Sequence, residues 1–538
     1  MIRTIIIYIA CASLLLGSVG FATDWHMFHG NNARTGFSSE NTTAGLVPLW
    51  TANLGSAIYN SPIVADGRLF ITTTDARLIA FDPNAGTVLW QTTLGSWADG
   101  APMVSDGRLY IGCVDHRVYC FNASTGALNW VAQTGSWVES SPLVFAGKVY
   151  IGSMDHRFYA FNALTGAQVF SIPTEGDVLT APSTDGQNVY FAGDDEQIHA
   201  ITQTGGTLWT VAAGGAVYGA PLAAEGKIVY GSIANGEGLS YNRLRALDAS
   251  TGAQVWQQQF GEHDFIYGTP AVGYGNVYMA TFQGTVYAYD LDNGAPVWSR
   301  TLGDWAFLSS GALANGVLYI GCNDGKVYAL DAFTGVLLDN ATTAGFIQSS
   351  PAVANGKLYV GSADGTLRAF SLNSAVEVTT IPGVTTVPPG GTLEFTVIMR
   401  ELSGQPQNFQ LWYRITRPNG DQRDYGTPFN MSLAAGQELT RTGRLFIPAS
   451  VSGGNFHLTV NVGSAPQPIW DASCFAFTVS GADATGSGEE KWAVELSDAE
   501  PNPIPTTSAF LPMEFALQPP SPNPFNPTTT LHLALPEP

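Results

Sequence analysis

Two carboxylates recur at a fixed spacing in the first third of the chain. Asp99 and Glu139 each lie two residues after a tryptophan, in the segments GSWADGAP and GSWVESSP, forty residues apart. Two neighbouring carboxylates can share a metal ion or act as a general acid and a general base. Without further ligands, such acids are more often solvated surface groups. The pair alone therefore predicts no catalytic or metal-binding residue.

The same spacing separates two Asp-His-Arg tripeptides, at 115–117 and 155–157. Arginine is a frequent anchor of binding interfaces, so each tripeptide is a candidate contact with a partner. Ordinary hairpin-turn chemistry is the commoner explanation, because Asp favours tight turns.

Four segments near these residues are unusually aromatic, namely GSWADGAP, GSWVESSP, GEHDFIYGTP and GDWAFLSSG. Loops on a rigid scaffold are frequent binding sites, and we predict a surface that binds a sugar or a peptide segment. The alternative is that the aromatic side chains only wedge between neighbouring structural units. The candidate ligand- or partner-binding residues are Tyr59, Trp97, Asp99, His116, Arg117, Trp137, Glu139, His156, Arg157, Tyr218, Tyr267 and Trp305.

Common catalytic motifs are missing from the sequence. It contains no GxSxG, no HExxH and no P-loop, which mark nucleophilic, metal-dependent and phosphate-binding sites. His199, His263 and His457 are isolated, and we expect them to be structural or solvated. The sequence thus predicts no catalytic, cofactor-binding or metal-binding residue, although a hydrolase or lyase remains an alternative.

Repeats of about forty residues must position these side chains. A proline stands near the start of seven repeats, and Gly311 replaces it in another. Each repeat has strand-like runs separated by turn residues, and the fourth run carries a large residue that is usually tryptophan. Four antiparallel strands at this period are typical of a propeller blade. The prolines are Pro62, Pro102, Pro142, Pro182, Pro221, Pro270 and Pro351.

The two ends of the repeat region complement each other. The last repeat, from Ser350 to Leu372, has only three strand signals, and the segment LVPLWTANLG at 46–55 reads as a lone fourth strand. Pairing them protects open sheet edges. The sequence therefore predicts an all-β fold, with an eight-bladed β-propeller over 46–372 closed by an N-terminal strand and preceded by a lead segment, 23–45.

Propeller geometry brings the candidate residues together. The loops that enter the innermost strands share one face with the turns between the second and third strands. We therefore expect the aromatic segments and the Asp-His-Arg turns on the same face of the propeller.

The repeat resembles a known family. The succession of a Gly-rich turn, an LYIG strand, a YAF strand and a TGxxxW strand, as in 101–135 and 141–176, resembles the PQQ-like β-propeller repeat. The opening DWHMFHG, 24–30, is similar to the start of quinoprotein alcohol dehydrogenases. The repeat also occurs in the B subunit of the barrel-assembly machinery. The resemblance covers about residues 24–372 and implies a fold rather than an activity.

The resemblance to the dehydrogenases implies PQQ and a calcium ion. In that family a vicinal disulfide lies on the cofactor, and a Glu, an Asn and an Asp bind the ion. This chain has no Cys-Cys pair, and its only sizeable insert is 235–242. We therefore expect no cofactor, and a PQQ-dependent dehydrogenase is kept as an alternative.

The resemblance to the barrel-assembly subunit implies an outer-membrane assembly scaffold, a second alternative. That subunit is held by a lipid, whereas Tyr8 stands where a lipid-attachment site at Cys11 would need a small aliphatic residue. The main prediction is a secreted or cell-surface binding protein without catalytic activity that engages a glycan or protein partner.

A different strand pattern follows the repeats. Alternating apolar residues over 377–480 predict an immunoglobulin-like β-sandwich, and the polar stretch 481–512 predicts a linker. The string PNPFNP within 513–538 resembles the start of a type IX secretion C-terminal sorting domain, which we expect to be truncated. That resemblance implies the type IX secretion machinery as a partner during export. A Pro-rich disordered tail is the alternative.

The N-terminus and the composition indicate where the protein acts. Arg3, an apolar run and small residues up to Ala22 are typical of a signal peptide over 1–22, with an uncleaved anchor as the alternative. We expect export to the extracellular space or the outer-membrane surface, with the periplasm as an alternative, and no transmembrane segment in the mature chain. The net charge of −21 disfavours nucleic acid as a partner.

The cysteines predict no structural role. Their spacing forms no CxxC pair and supports neither a disulfide framework nor a zinc site. The sequence leaves the redox state of these residues open. They are Cys113, Cys120, Cys322 and Cys474.

Overall fold

The computed structural model describes residues 24–40, 42–233, 241–261, 263–302, 309–373, 375–402, 405–418, 422–463, 469–480 and 492–498. Every regular element in these residues is a β-strand, which confirms the predicted all-β fold. Within them, no helix is long and apolar enough to cross a membrane. The predicted signal peptide, Trp305, most of the linker and the sorting-domain segment lie outside the described residues.

Short strands separated by tight turns fill the repeat region. Its strands are β1 (Phe37–Ser38), β2 (Val47–Asn53), β3 (Ile63–Ala65), β4 (Arg68–Thr72), β5 (Arg77–Phe81), β6 (Val88–Thr93), β7 (Met103–Ser105), β8 (Arg108–Cys113), β9 (Arg117–Asn122), β10 (Leu128–Gln133), β11 (Leu143–Phe145), β12 (Lys148–Ser153), β13 (Arg157–Asn162), β14 (Gln168–Pro173), β15 (Ser183–Thr184), β16 (Asn188–Ala192), β17 (Gln197–Thr202), β18 (Thr207–Ala212), β19 (Leu222–Ala224), β20 (Lys227–Ser232), β21 (Asn242–Asp248), β22 (Gln254–Phe260), β23 (Ala271–Gly273), β24 (Asn276–Ala280), β25 (Thr285–Asp290), β26 (Pro296–Thr301), β27 (Ala312–Ala314), β28 (Val317–Gly321), β29 (Lys326–Asp331), β30 (Leu337–Thr342), β31 (Ala352–Ala354), β32 (Lys357–Gly361) and β33 (Thr366–Ser371).

These strands form the sheets of a multi-blade propeller. The described residues hold eight such sheets, which we call blades 1 to 8 in chain order. They are β3–β6, β7–β10, β11–β14, β15–β18, β19–β22, β23–β26, β27–β30 and β31–β33 with β2. Strand β1 extends blade 7 by pairing in parallel with β27.

Blades 1 and 8 close the ring. Strand β2 pairs antiparallel with β33, with Val47 opposite Ser371, so the N-terminal strand completes the last sheet as predicted. The backbone N–H of Ser350, which leads into blade 8, donates to Ser61 Oγ at the start of blade 1 over 3.2 Å. Strands β3 and β31 are also in contact.

Tryptophans on the outermost strands seal neighbouring blades. Trp90 in blade 1, for example, lies against Gly126 of blade 2, where a Cβ atom would come within 2.6 Å of the indole. Gly126 also has φ +71°, which favours glycine. In six cases the indole N–H donates to a carbonyl of the next blade over 2.8 to 3.1 Å. The pairs are Trp50–Pro83, Trp90–Ala123, Trp130–Ala163, Trp209–Ala249, Trp256–Leu291 and Trp298–Ala332.

Residues 24–40, which we call the collar, run along the innermost strands of the ring. Arg34 Nη2 donates to the Pro142 carbonyl at the start of blade 3 over 2.8 Å. The Glu40 carboxylate accepts the backbone N–H of Gly356 in blade 8 over 2.6 Å. The collar thus contacts all eight blades. Backbone hydrogen bonds join it to Val64 in blade 1, Val104 in blade 2, Thr184 in blade 4, Ala223 in blade 5, Val272 in blade 6 and Leu313 in blade 7.

Longer strands form a second domain of two packed sheets. One sheet has the order β34-β36-β39-β42 and the other β35-β41-β40-β37-β38. Phe395 of the first sheet packs edge-on against Tyr413 of the second, with ring centroids 6.0 Å apart. The strands are β34 (Val376–Pro382), β35 (Thr386–Val387), β36 (Thr392–Glu401), β37 (Gln407–Thr416), β38 (Gln422–Leu433), β39 (Glu438–Phe446), β40 (Gly454–Gly463), β41 (Ile469–Val479) and β42 (Ala493–Asp498). Its classification as immunoglobulin-like stays a prediction.

Part of the predicted linker belongs to this sandwich. Strand β42 lies within 481–512 and pairs with β39 at the sheet edge. Trp492 just before it is buried, with its ring 5.6 Å from Phe456 and 6.0 Å from Tyr425. The polar composition of 481–512 concealed this short strand, whose Val494 and Leu496 pack on the sandwich core beside Trp492.

The sandwich packs against the propeller through polar contacts and through Ala472 and Cys474, which lie against the propeller core. Asp471 in β41 accepts the backbone N–H of Ala44 over 3.2 Å and that of Val378 over 2.8 Å. Burial raises the pKa of Asp471 to about 7. Cys474 Sγ donates to the Asp331 carboxylate in blade 7 over 3.4 Å. None of the four cysteines of the described residues forms a disulfide.

Candidate functional site

The predicted gathering of loops on one face is visible in the backbone hydrogen bonds. The N–H of Val114, at the turn between strands two and three of blade 2, donates to the Trp97 carbonyl in the entry loop over 3.2 Å. In blade 3 the N–H of Met154 donates to the Trp137 carbonyl over 2.9 Å. Entry loops and hairpin turns therefore lie side by side on this face.

A cavity of about 240 Å³ lies at the centre of that face, on the ring axis. We call it the funnel. Its wall uses one equivalent position from successive blades, and five of those residues were predicted from the sequence. Leu179 and Gln348 occupy the same position in their blades. They were not predicted from the sequence, although the repeat of about forty residues places them there. The residues at this position are Tyr59, Asp99, Glu139, Leu179, Tyr218, Tyr267 and Gln348.

Small and hydroxyl-bearing residues form the neck of the funnel. They come one or two residues after the wall residue of the same blade. Because their side chains are small, they leave space along the axis of the ring. Each hydroxyl accepts the backbone N–H of the preceding blade, which links the blades around the axis. The bonds are Ala101–Ser141 (2.9 Å), Ala220–Thr269 (2.7 Å), Thr269–Ser310 (2.9 Å), Ser310–Ser350 (2.9 Å) and Ser350–Ser61 (3.2 Å).

The collar supplies the floor of the funnel. Phe28 lines the cavity, and Arg34 lies 5.7 Å from the centroid of its ring. The Arg34 guanidinium is fully buried and donates to the carbonyls of Phe28 (2.7 Å), Pro142 (2.8 Å) and Pro182 (3.0 Å). Burial lowers the pKa of Arg34 to about 9. The cation thus holds the collar, including Phe28, against blades 3 and 4.

The surroundings raise the pKa of both carboxyl groups of the funnel. Asp99 is accessible to solvent within the funnel, yet the protein atoms around it desolvate the carboxyl and raise its pKa. Desolvation raises the pKa of Glu139 to about 7, and the charges of Asp99 and Asp177 add to that shift. A positive charge placed between these groups would favour their ionised forms and offset both the repulsion and the cost of desolvation.

Three tyrosines contribute aromatic surface to the wall. The side chains of Tyr59 and Tyr218 are 38% and 37% exposed, so their rings are available to a ligand. Tyr267 lies 5.7 Å from Tyr218 and 6.0 Å from Phe282, between ring centroids. The wall therefore combines carboxylates with aromatic rings.

Trp97 and Trp137 do not line the funnel. Trp97 is partly buried, and the Trp137 side chain is 46% exposed on the same face. Both lie two residues before an acid of the wall. They are thus available around the funnel rather than inside it.

The Asp-His-Arg turns also lie away from the funnel. His116 and His156 have φ of 70° and 60°, and Ala76 and Glu196 adopt the same conformation at the equivalent turn of their blades. A tight hairpin turn therefore accounts for this position. His156 Nε2 lies 3.2 Å from Asp177 Oδ1.

The two arginines of these turns have local partners. Arg117 Nη1 is 3.5 Å from the Asp115 carboxylate. Arg157 Nη1 donates to Ser171 Oγ over 3.0 Å. Both guanidinium groups are exposed enough to contact a partner on this face.

The funnel is a poor match for PQQ. That cofactor carries three carboxylates, whereas the lining residues include two acids and no lysine or arginine. No two cysteines are adjacent in the sequence, and no cysteine lines the funnel. The described residues also contain no group of three His, Cys, Asp or Glu side chains that could hold a metal ion. The residues that line the funnel therefore do not fit the cofactor.

Comparisons with known proteins agree with the architecture. BamB from Moraxella catarrhalis gives a TM-score of 0.53 at 19% identity, over 61% of this chain and 99% of that chain. The quinohemoprotein alcohol dehydrogenase from Comamonas testosteroni gives 0.54 at 16% identity, over 65% of this chain and 80% of that one. At such identities the likeness shows a shared propeller fold alone.

Sequence comparison identifies the family. The outer membrane protein assembly factor BamB of Moranella endobia (strain PCIT) is 28% identical over 102 residues, which are 17% of this chain and 26% of that protein. The match thus spans about a quarter of the curated relative. A family model described as outer membrane protein assembly factor BamB matches residues 47–140, 76–181, 173–306 and 282–378, which together are more than half of the chain. The chain belongs to the BamB-like family of PQQ-type propeller-repeat proteins.

Proposed function

We propose that this protein is an exported, non-catalytic binding scaffold whose funnel receives a basic side chain of a protein partner. One observation carries the proposal, namely the blind axial funnel in which Asp99 and Glu139 stand among Tyr59, Tyr218 and Tyr267. The names of the relatives, which are assembly factors, support a protein partner.

The chemistry of the wall favours a cation. An ammonium or guanidinium group is attracted to the faces of tyrosine rings and pairs with carboxylates. The net charge of −21 adds long-range attraction for basic segments. With about 240 Å³, the funnel is smaller than most small-molecule pockets, which span roughly 300–1,000 Å³. It suits one side chain inserted from a partner bound on the surrounding face.

The surrounding face supplies further contact area. Trp137 offers a large exposed ring, and Arg117 and Arg157 offer guanidinium groups on nearby turns. Tryptophan and arginine often provide most of the energy of an interface. We propose that they contact the partner around the inserted side chain.

A glycan is the second candidate. Tyrosine rings, two acids and the Gln348 amide suit a sugar ring as well as a cation. A sugar would bind through hydroxyl hydrogen bonds and would depend little on ionisation of Glu139. A neutral oligosaccharide that competes for the funnel would favour this candidate.

We also propose that the protein is exported to the cell surface or beyond. The features that support export are the signal-like N-terminus, 1–22, and the resemblance of 513–538 to a type IX sorting domain. Detection of the mature chain only in the periplasm would contradict a surface location.

The test uses labelled peptides and the whole chain. Fluorescent hexalysine and hexaarginine should bind, hexaglutamate should not, and the double variant Asp99→Asn/Glu139→Gln should weaken peptide binding about tenfold or more through the loss of two ion pairs. Asp292→Asn serves as the control, because it removes an exposed acid that pairs with Lys227 in another part of the propeller. Equal binding by the double variant would refute the proposed cation site, and binding of maltohexaose alone would indicate the glycan.

A further inference from the structure

A second cavity, of about 550 Å³, lies between the propeller and the sandwich. We call it the cleft. From the propeller it takes the end of β26 and the turn that joins β29 to β30. From the sandwich it takes the end of β37 and the start of β40. Its lining residues are Ser299, Arg300, Thr301, Thr334, Gly335, Val336, Thr416, Arg417, Pro418, Asn455 and His457.

The charge of the cleft is opposite to that of the chain. The protein has 43 acidic and 22 basic residues, yet the described lining includes Arg300, Arg417 and His457 and no carboxylate. The charge of Asp331, which is outside the lining, acts on His457. Asp331 is occupied, because it accepts the Thr334 hydroxyl over 2.7 Å and the thiol of Cys474.

Arg300 is the group in the cleft that most needs a partner. Its Nε atom is buried without a hydrogen-bond partner, and none of the ion pairs of the described residues includes it. Burial lowers the pKa of Arg300, and it lowers that of His457 too, with the charge of Arg300 adding to the effect. A buried charged donor left unpaired is costly, and an anion between these two side chains would satisfy it.

Neutral donors surround the two arginines. Asn455 accepts the Thr478 hydroxyl at its Oδ1 over 3.0 Å, which leaves its amide N–H groups free to donate. Ser299 adds a hydroxyl from β26. Arg417 Nη2 is held by the Tyr425 hydroxyl over 3.3 Å, which orients its guanidinium. Guanidinium forks, hydroxyls and amides are the donors that phosphate and carboxylate prefer.

We propose that the cleft binds a small polar ligand through an oxyanion, a phosphate or a carboxylate, held by Arg300 and Arg417. The cleft is larger than a bare ion requires and lies in the size range of small-molecule sites, roughly 300–1,000 Å³, which often occur between domains. The ligand therefore has a neutral body beside its charged group. This site is separate from the funnel and does not depend on the proposed function.

The experiment is calorimetric titration of the full chain with inorganic phosphate, glucuronate and glucose. Phosphate binding with no glucuronate binding would assign a phosphorylated ligand, and the reverse would assign a carboxylated one. Glucose should not bind, because it lacks the oxyanion. Failure of both anions to bind would overturn the proposal.

Substitutions of single arginines test whether the anion binds in the cleft. Arg300→Gln should weaken binding of the anion about tenfold or more. Arg414→Gln is the matched control, because it removes the same charge from β37 at an exposed ion pair with Asp424 and should leave binding unchanged. If Arg300→Gln does not fold, Arg417→Gln and Arg300→Lys replace it, and both should bind more weakly than the wild type. Undiminished binding in the folded variants would refute the cleft as the site.

Discussion

The funnel and the cleft are both concave and polar, but they are built in different ways. The funnel takes the same position from successive blades, so its residues are related by a step of about forty in the sequence. The cleft takes residues from two unrelated domains that meet by packing. The funnel is acidic and aromatic, whereas the cleft is basic and rich in hydroxyls. One chain thus presents opposite charges at two sites, and each site can be altered without touching the other.

The difference shows how repeats acquire specificity. Every blade presents a residue at the wall position, and the fold tolerates Asp, Glu, Leu, Tyr or Gln there. The blades are held together instead by the outer tryptophans and the neck hydroxyls. Ligand choice at the funnel is therefore free to vary while the ring remains intact.

The largest expected effect comes from removing the floor of the funnel. Arg34→Ala leaves two buried carbonyls and one partly buried carbonyl without their donor, which should reduce the free energy of unfolding by about 4 kcal/mol. Denaturant unfolding would measure this change. Arg444→Ala, which breaks only an exposed ion pair with Glu394, should cost no more than about 1 kcal/mol. Equal losses in the two variants would mean that the collar does not support the funnel.

The second largest effect is expected from the two tryptophans on the face around the funnel. Replacing Trp97 and Trp137 together by alanine should weaken binding of hexalysine by about 2 kcal/mol if the rings anchor a partner. Phosphate binding in the cleft should not change, since neither ring is near it. If affinity stays the same and thermal stability falls, the two tryptophans serve the structure and the funnel acts alone.

The dependence on pH should separate the two sites. The pKa of Glu139 is raised to about 7, so the carboxylate that attracts a cation forms as the pH rises through that value. Affinity for hexalysine should therefore increase from pH 6 to pH 8 by a few-fold, and no more than about tenfold. Glu139→Gln should flatten the profile. An affinity that falls over this range would contradict a cation in the funnel.

The smallest change tests the hydroxyl of one wall residue. Tyr218→Phe keeps the aromatic face and should alter hexalysine affinity by less than about 0.5 kcal/mol, because the ring provides the attraction for a cation. Fluorescence anisotropy would detect the difference. A loss well above that would indicate a hydrogen bond from the hydroxyl and would favour the glycan.

The sequence allowed the fold and the site to be predicted mainly within the repeat region, where equivalent residues recur about every forty positions. The repeat predicted the strands, the closure of blade 8 by β2, and five of the seven described wall residues, because equivalent positions in a propeller converge on one axis. The collar has no repeat of its own, so its path past every blade could not be predicted. Arg300 and Arg417 are far apart in the chain, and only the packing of the sandwich brings them together. Strand β42 was missed because its alternation of Trp492, Val494 and Leu496 is short and stands in a polar stretch.

The pairing of β2 with β33 has a consequence for the order of folding. Residues 47–53 emerge early in synthesis, and their partner at 366–371 emerges only after all the intervening blades. Contacts of such sequence separation form slowly, and until then the N-terminal strand and the edge of the last sheet stay unpaired and prone to aggregation. The ring therefore cannot be completed before residue 371 has been made. A protein of this design depends on being kept apart from its neighbours until its final blade is available.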